Sequence, residues 1–205
     1  MKGRRDAALT NFNDTHVIFS GGCSHAEGGY SRSVSCYTIL TDSWSKVPAM
    51  TEKRSGHGTC IVGDYMYAAC GDDGTNYLKS IERINIKAII NGTSDNIFWE
   101  VLDFRRNIPL EPSYQVLMTP LSGTSILIAG GACFYDQEIG DELKGKGVVL
   151  NLQSMQMREA FDDPDLQFLS NGNQVVPVFH GKKWPVAALV EDLDKELRIF
   201  TYSTG

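Results

Sequence analysis

Residues 16–22 read HVIFSGG, 65–71 read YMYAACG and 125–131 read SILIAGG. Each is a short apolar run that ends in a small residue and then glycine. The anchor is Gly21 in the first run, Cys70 in the second and Gly130 in the third, with Gly22, Gly71 and Gly131 following. The next step of similar length leads to Leu189, closing 184–190, WPVAALV, where both glycines are lost. The residue before the anchor is Ser20, Ala69, Ala129 and Ala188, small every time. Recurrence at a period near ~50 residues is the mark of stacked supersecondary units.

Other positions keep the same phase. Upstream of the anchors lie candidate strands at 7–12, 58–62, 115–118 and 174–179, and downstream SVSCYTI at 33–39, SIERINI at 80–86, KGVVLNL at 146–152 and KELRIFTY at 195–202. The position of Tyr37 is filled by Ile84, Leu150 and Phe200, and two places on stand Ile39, Ile86, Leu152 and Tyr202. That alternation is the period-2 pattern of a strand with one packed face. Trp44 follows Tyr37 by seven positions as Met157 follows Leu150, and Trp99 takes the part in the second unit after an insertion around 91–96. Each unit reads as four strands, a to d. The glycines admit a backbone conformation or close approach that a Cβ would block. Tyr37, Trp44, Trp99 and Met157 are expected to pack between units.

The double glycine, the pair Tyr37…Trp44 and the phrase VPAMTEKRSGHGTCIVGDYMYAACG at 47–71 resemble the kelch repeat. The resemblance covers units of about 1–48, 49–104, 105–161 and 170–205, read together as a single domain over 1–205. It departs from the pattern at Cys70, Met157 and the glycine-free fourth unit. It implies an all-β fold, a kelch-type β-propeller whose four-stranded antiparallel blades surround a channel. The fourth d strand is expected to begin near Thr204–Gly205. A partial propeller is therefore expected, completed by a partner chain, a second copy or further residues, since an exposed edge invites pairing.

Composition bounds the function. The 205 residues are 42% hydrophobic and 21% charged, which suits a globular chain, and 19 basic against 25 acidic residues give −6. That balance argues against nucleic acid or an anionic membrane as partner. The apolar runs are too short for a membrane-spanning helix, and no signal peptide develops in the first residues. Five cysteines, an odd count with no CxxC, point to free thiols in a reducing cytoplasm. Cys23, Cys70 and Cys133 stand near the ends of three b strands, but no histidine recurs with them, so buried thiols are expected rather than a metal site. Paired carboxylates at Asp72-Asp73 and Glu191-Asp192 read as turns. The family includes copper oxidases and sugar isomerases, and no matching ligand or catalytic set is found here. No cofactor is expected.

In an up-down sheet the b–c loops and d–a connections emerge at one end. That rim collects Arg5, His25, Tyr30, Arg32, Arg54, Tyr77, Tyr135, Glu138, Asp141, Glu142 and Glu191. Arginine and tyrosine are favoured binding anchors, and their alternative role is to brace neighbouring blades. The reading is a non-catalytic protein-interaction module or scaffold subunit. The alternatives are a propeller-class carbohydrate-active or redox enzyme and the substrate-recognition part of a ubiquitin ligase, the latter weakened because no recruiting domain precedes the repeats.

Overall fold

The structure, a computed structural model, describes residues 3–24, 26, 28–93, 96–104, 109–129, 132–133, 142–143, 146–162, 175–180, 183–190 and 197–200. For 132–133, 142–143, 146, 161–162 and everything from 175 onward, only the backbone is described. The first unit holds β1 (Ala8–Asn13), β2 (His16–Ser20), the short β3 (Cys23–Ser24) and β4 (Gly29–Tyr30), then β5 (Val34–Thr38) and β6 (Ser43–Val47). The second holds β7 (Gly58–Val62), β8 (Tyr65–Ala69), β9 (Ile81–Asn85), helix α1 (Ile86–Ile90) and β10 (Glu100–Val101). The third holds β11 (Leu117–Ser122), β12 (Ser125–Ala129), β13 (Ala132–Cys133), β14 (Glu142–Leu143), β15 (Lys146–Asn151) and β16 (Gln156–Asp162). The fourth holds β17 (Val175–His180), β18 (Lys183–Val190) and β19 (Leu197–Phe200).

Three sheets run in the orders β1-β2-β5-β6, β7-β8-β9-β10 and β11-β12-β15-β16, and the fourth in the order β17-β18-β19. All main pairings are antiparallel. The first strands adjoin from sheet to sheet, β1 with β7, β7 with β11 and β11 with β17, so they form the hub. This is the arrangement of kelch propeller blades. The expected d strand of the fourth unit falls outside the described residues, as do Gly130 and Gly131.

Two sheet-to-sheet cores follow from the alternation. Ile18, Val34, Cys36 and Val47 of the first sheet pack with Met66, Ala68, Ile84 and Trp99 of the second. Cys60, Val62, Tyr67, Ala69 and Ile81 on its opposite face pack with Ile126, Ile128, Val148 and Leu150 of the third. A sheet sandwiched between neighbours must be apolar on both faces, and the second sheet is.

The ends of the b strands explain the glycines. Gly21 and Gly22 have φ of 61° and 87°. A Cβ on Gly21 would stand 2.2 Å from the Arg54 carbonyl oxygen and 2.6 Å from His57 Cε1. The close approach lets Gly22 N donate to the Arg54 carbonyl at 2.8 Å, and Gly71 N donates to the Ser113 carbonyl at 2.7 Å in the same way. Cys70 keeps the glycine-like φ of 61°, a left-handed conformation that costs a side chain about 1–2 kcal/mol.

Three local readings differ from the structure. Strand β11 runs on to Ser122 through Pro120. Proline has no N–H to give, but β11 pairs only with β12 in its sheet, and an edge strand tolerates that loss. Helix α1 was not apparent in the sequence. Asn85 caps it by accepting from Ala88 N at 2.9 Å, and this cap was its one local signal. Trp44 is the third: expected to be packed, it is 52% exposed, while Trp99 is 4% exposed. The phase is right, but among the described residues no sheet lies against that side of the first sheet.

Candidate functional site

The b–c loops of the first two units and the segments preceding their a strands, residues 3–7 and 52–57, gather at one end. Arg5 exchanges backbone hydrogen bonds with Cys23, and Ser55 does so with Asp72. Arg5 and Arg32 are exposed there. The loop 72–79 is held by its own aspartates. Asp72 Oδ1 accepts from Gly74 N at 2.8 Å, and Asp73 Oδ1 accepts from Thr75 N and Asn76 N at 2.6 and 2.7 Å. These are Asx turns, which fix a loop without help from a core.

Successive loops are also tied to one another. Tyr30, from the first unit, donates its hydroxyl to Asp72 Oδ2 of the second at 2.9 Å. Its ring lies over Gly74, where a Cβ would meet Tyr30 Cδ2 at 2.6 Å. The Asp72 hydrogen bond, with some burial, raises the Tyr30 pKa above its ordinary value. Tyr77 continues the chain, its ring 4.7 Å from that of Tyr114, just before the third unit's a strand. Tyr30 and Tyr77 are therefore half-buried links between blades.

Arg54 leaves the rim altogether. It is fully buried. Its Nε donates to Glu82 Oε1 at 2.8 Å, Nη1 to the Cys70 carbonyl at 2.6 Å, and Nη2 to Ser80 Oγ and Glu52 Oε2 at 2.8 Å each. Glu82 is equally buried and also accepts from Thr51 N and Oγ1. The arginine thus staples the segment before β7 to the end of β8 and the start of β9. Arg4 occupies the same place in the first unit, donating to the Gly21 carbonyl and Ser33 Oγ, but Ser35 stands where Glu82 would be. A glutamate between Ile81 and Ile84 on an apolar strand face was the sequence signal for this pair.

His57 lies beneath the rim between the first two sheets. Its Nε2 pairs with Ser20 Oγ at 2.9 Å, and its Nδ1 is buried with no hydrogen-bond partner. Burial, together with the nearby Arg54 charge, lowers its pKa to about 3, so the ring is neutral. Both Ser20 and His57 are buried, and no carboxylate orients the imidazole, so the pair lacks the features of an activated nucleophile. Among the described residues no group of three or more histidine, cysteine or acidic side chains could hold a metal ion. Burial raises the Cys36 and Cys60 thiols above the ordinary range. His25, Tyr135, Glu138, Asp141 and Glu191 lie outside the described residues, and Glu142 is described in backbone only.

The description "Kelch motif" matches residues 10–51 and 53–88. These segments fall on the first two sheets and the loops that build the rim. The chain is 33% identical over 73 residues to Kelch-like protein 36 of Rattus norvegicus, covering 36% of this chain and 12% of that protein. It is 36% identical over 66 residues to Kelch-like protein 8 of Mus musculus, covering 32% and 10%. It is 41% identical over 45 residues to Kelch-like protein 5 of Homo sapiens, covering 22% and 6%. The aligned part is thus between 6% and 12% of these relatives' length.

Proposed function

We propose that this chain, which carries two kelch motifs over residues 10–51 and 53–88, is a non-catalytic protein-interaction module that presents its b–c and d–a rim to another polypeptide. The observation that carries this reading is the tie between adjacent loops: Tyr30 reaches from one blade to Asp72 and Gly74 of the next. Loops fixed before binding lose little freedom on binding, so the contacts they make are not spent on ordering them. Between these links stand exposed Arg5, Arg32, Thr75, Asn76 and Lys79, beside half-buried Asp72 and Asp73. The mixture of charge and amide suits a peptide with both acidic and polar side chains. By loop position in the sequence, Tyr135, Glu138, Asp141 and Glu191 are assigned to the same proposed rim in the other two units. A reducing cytoplasm suits the buried thiols of Cys23, Cys36 and Cys60. Among the described residues no helix is long and apolar enough to cross a membrane.

The test uses peptides selected from a random display library against the full chain. Arg5→Glu with Arg32→Glu is expected to weaken the selected peptides at least ~10-fold, the scale of a lost hot-spot contact. Lys87→Glu, at the opposite end beside Asp64, is expected to leave them unchanged. Peptides that respond only to the Lys87 variant overturn this assignment of the rim.

A further inference from the structure

The connection from the first unit to the second crosses the rim beside both b–c loops, and Arg54 gathers all three. Its backbone N–H donates to the Ser31 carbonyl at 3.0 Å, and its Nη2 donates to Ser80 Oγ at 2.8 Å. Each of these groups has a cation as its chain neighbour. Arg32 follows Ser31, Lys79 precedes Ser80, and Lys53 precedes Arg54 itself. The Arg32 carbonyl also accepts from Met50 N at 2.9 Å, which fixes that residue against the connection. Three exposed cations from three separate segments therefore surround one buried staple.

No carboxylate answers them. Among the described residues none of the three cations has an ion-pair partner. The carboxylates on the same segments are engaged elsewhere. Glu52 accepts from Arg54 Nη2 and Ser80 Oγ, and Glu82 accepts from Arg54 Nε and Thr51. Asp72 accepts from Tyr30 and Gly74 N, and Asp73 from Thr75 N and Asn76 N. Asp6 is exposed but belongs to the segment before β1, where its carbonyl accepts from Gly56 N. The chain carries −6 overall, yet it sets three uncompensated positive charges around one seam. Like charges held together repel and add nothing to stability, so the arrangement suits an anion supplied from outside.

We propose that this seam binds the phosphate of a phosphorylated serine or threonine in the partner polypeptide, an inference that rests on reading the rim as a protein-binding surface. A phosphate carries about −1.5 to −2 charges at pH 7 and three strong acceptor oxygens. Donors on three segments match three oxygens, whereas a carboxylate offers two. Arg32 supplies a planar fork, while Lys53 and Lys79 supply compact charges, and both kinds of group recognise phosphate. Because Arg54 ties the three segments before any ligand arrives, little ordering is left for binding to impose.

Synthetic peptide arrays with random flanks around a central serine, phosphoserine or glutamate test this on the full chain. The phosphoserine series is expected to bind at least ~10-fold more tightly than the serine series, the scale of one charge-assisted hydrogen bond. The glutamate series is expected to fall between them. Arg32→Gln, Lys53→Gln and Lys79→Gln together are expected to abolish the preference, and each alone to reduce it. All three positions are exposed, so circular dichroism of these variants is expected to match the wild type. Lys46→Gln, at an exposed cation on β6, is expected to leave the preference intact. Glutamate binding as tightly as phosphoserine overturns the phosphate assignment, as does a preference that survives the triple variant. An oligonucleotide that competes through these residues more tightly than every phosphoserine peptide overturns it in favour of nucleic acid. Serine peptides weakened by Arg5→Glu with Arg32→Glu, but with no gain on phosphorylation, overturn this inference alone and leave the rim a binding surface. Absence of binding in every series overturns both.

Discussion

Arg54 and Glu82 are two charges held entirely out of water, each satisfied by the other and by backbone or hydroxyl groups. Removing one partner strands the other, which costs far more than the pair contributes. Arg54→Met is expected to destabilise the protein by roughly 3–5 kcal/mol in a urea melt. Arg54→Met with Glu82→Leu is expected to recover much of that loss. A single variant as stable as the wild type would show that the charges reach water. His57 makes a separate prediction through pH. Its pKa is held at about 3 in the folded chain against an ordinary ~6.5 when unfolded. As pH falls through the ordinary value the unfolded chain takes up a proton and the folded chain does not, so stability drops on acidification. Between pH 7.5 and 5.0 the wild type is expected to lose about 2 kcal/mol more than His57→Gln. Parallel losses in the two proteins would contradict the buried, neutral ring. Neither fate was legible from one position alone. Arg4 and Arg54 hold the same place before their first strands, and the residue across the sheet, Ser35 or Glu82, sets them apart.

The d strands show how an element's environment depends on its neighbours. Trp44 and Trp99 hold equivalent places, and the Trp99 indole is buried with Nε1 donating to the Pro48 carbonyl at 2.8 Å. Trp99→Ala is expected to cost roughly 3–5 kcal/mol, the cavity cost of a truncated core aromatic. Trp44→Ala, measured in dilute solution, is expected to cost less than about 1 kcal/mol. Equal losses would mean the first sheet is covered in the single chain. Periodicity identified the strands well because a packed face enforces alternation residue by residue: Gly58–Val62 was located to the residue. It located β11 poorly because Pro120 reads as a strand breaker until the edge position of the strand is known. It missed α1 because a five-residue helix is too short to show a period, leaving only the Asn85 cap.

At the scale of the molecule, the stacking of like units is what the sequence displays most clearly, since four anchors stay in phase. The rim is legible only in outline. Loop position placed Arg5, Tyr30, Arg32 and Tyr77 at one end, but which side chains brace and which remain free depends on contacts between units. Tyr30 meets Asp72 forty-two positions away in the chain, a pairing no local pattern encodes. The claim that this rim is the working surface is most directly tested by hydrogen exchange of the full chain with and without a peptide selected against it. Slowed exchange is expected at residues 29–33 and 72–79, with 39–42, 63–64 and 86–93 at the other end unchanged. Protection confined to those opposite turns, with the Tyr30–Asp72 loops exchanging as before, would contradict the account.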